Sequence, residues 1–113
     1  MLPAANRLRT AADFRETTRR GAKAARGVVV VYLNRPESTE PPRVGVVVSK
    51  SVGGSVQRHR AARRILAAVR RYLPDLPLGS VAVVRALPGA DSGASLSSDV
   101  AQALTGLLAR RPR

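Results

Sequence analysis

The chain has 113 residues, enough for one domain burying roughly two thirds of the surface its unfolded form exposes, and too few for a second core. Cysteine is absent, which excludes a disulfide scaffold, a cysteine-ligated zinc site and thiol chemistry. Twenty Lys and Arg against seven Asp and Glu give a formal net charge of +13, so a polyanion, nucleic acid foremost, is the expected partner.

Residues 1–10 carry arginines but no apolar run of the kind a secretory signal needs, so export is not expected and a cytoplasmic location is. Thr10-Ala11-Ala12-Asp13 has the spacing of a helix-starting box and Gly21 offers a stop, which predicts a helix over 11–20. Residues 27–34 are β-branched and continuously apolar, as in a strand covered on both faces. The run 28–33 is far shorter than the roughly twenty residues a membrane-spanning helix requires, so no membrane association is expected. Three prolines and two glutamates make 35–42 a loop, after which 43–50 reads as a second strand, paired with the first in an antiparallel hairpin.

Ser55 is placed to cap a helix running to about Leu73, where Pro74 and Pro77 prevent continuation. Residues 78–86 read as a third strand and 87–94 as a loop; 35–42 and 87–95 are expected to be mobile. Leu96, Val100, Ala103, Leu104, Leu107 and Leu108 recur at helical spacing and predict a closing helix that ends before Pro112. The order is α-β-β-α-β-α, an α+β protein with a single small sheet, forming one domain over residues 1–113.

The helix after Ser55 carries the charge. Ala61, Ala62, Ile65, Leu66, Val69, Tyr72 and Leu73 share one face, suited to packing on a sheet. The opposite face collects Arg60, Arg63, Arg64, Arg70 and Arg71, and no carboxylate occurs between Lys50 and Leu73. Like charges three and four residues apart destabilise an isolated helix, so an external anion is the economical explanation. Arg58 projects near the apolar side of the first turn. Val52-Gly53-Gly54-Ser55 leads into the free amides of a helix N-terminus; such a turn is often only a turn, but beside Lys50, Arg58 and Arg60 it favours phosphate.

The run from Arg43 through Ser49-Lys50, Val52-Gly53 and Arg58-His59-Arg60 to Arg63-Arg64-Ile65 resembles the signature of the bacterial ribonuclease P protein family. Arg7-Leu8-Arg9 followed by Asp13-Phe14, and the turn from Arg85 to Gly89, are similar too, so the resemblance covers nearly the whole chain. His59 stands where the family usually has Asn, Ala62 where Lys is common, and Ser51 where a second Lys is frequent. The resemblance implies an α/β sandwich with a left-handed βαβ crossover, against the general preference for right-handed ones. It also implies the accessory protein subunit of an RNA-based endoribonuclease. Such a subunit binds ribonuclease P RNA, one protein per RNA, and the single-stranded 5′ leader of precursor tRNA, while the RNA performs Mg2+-dependent removal of the leader.

Carried over by position, the resemblance gives Lys50, Arg58, His59, Arg60, Arg63 and Arg64 to the catalytic RNA, with further phosphate contacts from Arg70 and Arg71. It gives Phe14 and Tyr32 to the leader cleft, where aromatic faces can stack on unpaired bases whatever their sequence. Read without it, Phe14, Tyr32 and Tyr72 are ordinary packing residues. His59 is the only histidine, so a histidine metal cluster or a His-based triad has no partners, and the acidic residues form no evident pair; no catalytic and no metal-ligating side chain is assigned to the protein. Arg110, Arg111 and Arg113 read as a solvated tail. A ribosomal or other architectural RNA-binding protein is the alternative function that the same basic helix would serve.

Overall fold

Thr10 and Gly21 bound the first helix as their spacing requires. In the computed structural model, which describes residues 2–110, α1 spans Ala11–Arg20, the Thr10 hydroxyl accepts the Asp13 amide at 3.1 Å, and Gly21 closes the C-terminus. Arg111, Pro112 and Arg113 of the expected tail lie outside the described residues. The remaining elements are β1 (Ala22–Arg26), β2 (Val29–Asn34), β3 (Arg43–Val48), α2 (Ser55–Arg70), β4 (Val81–Ala86) and α3 (Leu96–Leu108). The four strands form one sheet in the order β1-β2-β4-β3.

β1 is an addition to the order expected from sequence, which becomes α-β-β-β-α-β-α. Ala-Lys-Ala-Ala-Arg lacks the β-branched and aromatic residues that announce a strand. It is extended because its backbone pairs with β2, Ala22 opposite Leu33 through Arg26 opposite Val29, and because buried Ala24 belongs to the core that α3 covers. Gly27 makes the connecting turn at φ +52°, beside the Asp99 carboxylate of α3. That buried carboxylate accepts the Val28 amide at 3.2 Å and the Ser95 hydroxyl at 2.9 Å, tying the β1–β2 hairpin to α3.

The expected hairpin between residues 27–34 and 43–50 does not form. β4 lies between the two strands, antiparallel to β2 and parallel to β3. β2 is apolar and largely buried on both faces, so its backbone groups need a partner along both edges, and β1 and β4 provide them. The proline-rich segment 35–42 makes no tight turn; the Glu40 carbonyl accepts the Gly79 amide at 2.7 Å beside the β4 start. β3, α2 and β4 then make a βαβ unit whose two strands are parallel neighbours.

Several ends also differ. The 43–50 strand stops at Val48 and the 78–86 strand begins only at Val81, because Gly79 sits at φ +83° and Leu78 is exposed. α2 ends at Arg70, and Leu73–Asp75 forms a short 3-10 turn around Pro74. Gly54, not Ser55, is the N-cap of α2, and no side chain caps it.

Helices cover both faces of the sheet. α2 and α3 bury Ile65, Val69, Val100, Leu104 and Leu107 against Val29, Val31, Leu33, Ala82, Val84 and Ala86, forming the main core. α1 lies over the other face, where a smaller cluster gathers Leu8, Val81 and Val83 with half-buried Phe14, Tyr32 and Val47. The alternation along each strand thus supplies two apolar layers from one sheet.

Candidate nucleic-acid interface

The chain leaves β3 through Ser49 into the 3-10 turn Lys50–Val52, in which the Ser49 carbonyl accepts the Val52 amide and the Lys50 carbonyl the Gly53 amide, both at 3.1 Å. Gly53 has φ +145°, a backbone setting that L side chains rarely adopt, and a Cβ there would press on Gln57. Val52 is buried and holds the turn against the core, leaving Lys50 exposed beside the start of α2. The Gly54 carbonyl accepts the Arg58 amide at 2.9 Å, so the amides of Ser55, Val56 and Gln57 precede the first intrahelical bond.

Along α2, His59, Arg60, Arg63 and Arg70 are exposed, and Arg71 is exposed at the C-cap. Among the described residues the ion pairs are Arg20 with Glu16 and Arg43 with Asp13; none of the α2 arginines takes part in one. Arg58 lies differently, half-buried and lining one pocket with Val46 and Val48 of β3, with its Nε buried and lacking a hydrogen-bond partner.

Arg64, expected among the RNA contacts, is engaged within the chain. Its guanidinium donates to the Ala90 carbonyl at 2.8 Å and to the Gly93 carbonyl. That bond, the Leu87 amide on the Val28 carbonyl at 2.8 Å and the fully buried Ala90 pin the 87–95 loop that the sequence suggested would be mobile. The position of Arg64 on the flank facing this loop, invisible in a helical wheel, decides the difference.

The second surface is on the opposite side of the sheet. Phe14 and Tyr32 belong to one cluster with Leu8, Val47, Val81 and Val83, half-exposed over the strands. Gly45 makes this possible, since a Cβ there would overlap the far edge of the Phe14 ring. Tyr72, by contrast, packs on the main core, as a packing residue would.

The Ribonuclease P family model matches residues 2–111. The chain belongs to the ribonuclease P protein family. It is 47% identical to the ribonuclease P protein component of Streptomyces griseus, with 96% of each chain covered. It is 46% identical to that of Beutenbergia cavernae, over 95% of this chain and 92% of the relative. Its fold matches that of a Staphylococcus aureus RNase P protein mutant with a TM-score of 0.79 at 24% identity, over 89% of this chain and 86% of that one. Membership of this family places the chain among RNA-binding proteins of tRNA processing.

For a ribonuclease P protein, the fold gathers Lys50, Arg58, His59 and Arg60 at one end of α2, extends them along the helix through Arg63 and Arg70, and sets Phe14 and Tyr32 together on the other face. Sequence reasoning missed Lys23 and Arg85 as candidates for that second face. Lys23 stands opposite Tyr32 in the β1–β2 register, and exposed Arg85 lies between Val30 and Val47. A signal existed for Arg85, the lone charge in the apolar strand Val-Ala-Val-Val-Arg-Ala. None existed for Lys23, whose strand was not legible.

Proposed function

We propose that this chain is the accessory subunit of the ribonuclease P ribonucleoprotein, one protein per RNA, holding the catalytic RNA with one surface and the precursor-tRNA leader with another. The observation that carries this reading is the division of the molecule into two chemically different surfaces. The start and outer face of α2 are cationic and unpaired with carboxylates, suited to phosphates held in a folded RNA. The sheet face under α1 combines two half-exposed aromatic rings with Lys23 and Arg85 at its strands, suited to a flexible single strand whose bases stack while its phosphates pass cations.

Lys50, Arg58, His59, Arg60 and Arg63 serve the catalytic RNA in this reading, with Arg70 and Arg71 at the far end of the helix. Phe14 and Tyr32 receive the leader. Leaders differ in sequence, and stacking tolerates that difference because every base has a π-face. Among the described residues no three of His, Asp and Glu come together as a metal would require. In this reading the Mg2+ of the reaction class is held mainly by the RNA, which performs the bond cleavage.

The test is 5′ cleavage of a precursor tRNA at low Mg2+ by ribonuclease P RNA, with and without the protein, alongside the protein alone. Stimulation that depends on the RNA is the expected result. RNA binding without stimulation would favour an architectural role, and cleavage by the protein alone would make it an autonomous nuclease.

A further inference from the structure

At the junction of α2 and β3 the surface dips into a pocket of about 380 Å³ lined by Val46, Val48, Ser55, Arg58, His59 and Ala62. That volume is in the range of sites for small organic ligands. Val46, Val48 and Ala62 give it an apolar part, while the Ser55 hydroxyl, the Arg58 guanidinium and the His59 imidazole bring hydrogen-bonding groups. Ala62 matters to its size, because a longer side chain at that position would enter it.

Arg58, whose Nε is buried and without a hydrogen-bond partner, is among the residues lining this pocket. A buried donor on a charged group is costly when unpaired, and such groups in folded proteins are ordinarily satisfied. Within the pocket an acceptor from outside the chain can meet the Arg58 guanidinium, and two chemical forms of it compete. A phosphate could pair with Arg58 but would turn its remaining charged oxygens onto the methyls of Val46, Val48 and Ala62 and lose part of its hydration there. Exposed Lys50, Arg60 and Arg63 offer phosphates wetter positions nearby. A nucleobase instead lays an apolar face on those methyls and turns a polar edge to the arginine. Guanine is the base whose O6 and N7 form two adjacent acceptors matched to the parallel N–H bonds of a guanidinium fork.

We propose that this pocket receives an unpaired guanine turned out of the RNA, its O6 and N7 edge on Arg58 and its flanking phosphates on Lys50 and Arg60. The inference rests on the reading that α2 binds ribonuclease P RNA and adds a base-specific contact to it. His59 at the rim supplies either a ring to stack on the base or a donor to it.

The first test uses the unmodified full chain, with 5′-GMP, 5′-AMP and inorganic phosphate titrated at fixed ionic strength while the Val46 and Val48 methyl resonances are followed. GMP is expected to shift both saturably, with an affinity about tenfold above that of AMP. Phosphate is expected to leave the methyls in place. Equal affinities for GMP and AMP, equal effects of phosphate, or no methyl shift with GMP would each overturn the proposal. The second test is Ala62→Leu, which narrows the pocket without changing charge. Its affinity for ribonuclease P RNA is expected to fall about tenfold with an unchanged salt slope, because phosphate contacts remain. Unchanged affinity would remove the base from the pocket. Failure of the unmodified chain to bind that RNA is a different result, which sinks the proposed RNA-subunit partnership itself.

Discussion

Gly45→Ala tests how the leader cleft is built. The added Cβ would overlap Cζ and Cε1 of Phe14 and approach the Leu8 Cβ to 3.2 Å, so the ring must retreat by about 1 Å to regain ordinary contact. Overpacking of this kind costs about 1–3 kcal/mol, and the low end applies because the obstructing atoms are the far end of a half-exposed side chain. Replacing glycine in a strand offsets roughly 0.5–1 kcal/mol of the ~1 kcal/mol at that low end through backbone entropy, leaving a net loss of at most about 0.5 kcal/mol. Urea unfolding of Gly45→Ala, Phe14→Ala and the double variant measures this directly. In the Phe14→Ala background the alanine is expected to cost less by about 1 kcal/mol, since the ring it displaces is gone. On the functional side, Gly45→Ala is expected to weaken binding of leader-bearing precursor tRNA to the holoenzyme while mature tRNA is little affected. An equal cost of Gly45→Ala with and without Phe14 would refute the seating of the ring on this glycine. Equal losses for precursor and mature tRNA would refute the leader's use of the cleft.

Arg58→Ala combined with Arg60→Ala is expected to weaken ribonuclease P RNA binding and flatten the log–log salt dependence by about 1, the share of the Arg60 phosphate contact, read from titrations at several salt concentrations; the same slope as the unmodified chain would remove this turn from the interface. Arg64→Ala is expected to lose about 1–3 kcal/mol of stability, because its two carbonyl acceptors on the 87–95 loop lose a charged donor. Hydrogen exchange should rise in that loop first, and unchanged protection there would contradict the tether. Asp99→Ala leaves the Val28 amide and Ser95 hydroxyl without their acceptor and is expected to cost about 1–3 kcal/mol in thermal or urea unfolding, with loss of protection in the β1–β2 hairpin.

Sequence by itself determined the α+β class, α1 with its Thr10 cap, the span of α3, the basic character of α2 and the region containing Arg58, His59 and Arg60. These are local properties: capping chemistry, helical periodicity and sign of charge act within a few residues of one another. The resemblance added the prospect that Phe14 and Tyr32, eighteen positions apart, share a cleft, which no local pattern carries. Tertiary structure alone decided the rest. β1 is a strand only through its pairing with β2 and its cover by α3, and β4 enters between β2 and β3 because β2 needs a partner along both edges in a dry interior. Arg63 and Arg64 are adjacent and chemically identical, yet one faces solvent and the other ties down a loop, because 100° of rotation about the helix axis carries Arg64 toward the carbonyls of Ala90 and Gly93. Charge can be read along a chain, but the group that meets it is fixed by packing between segments far apart in sequence.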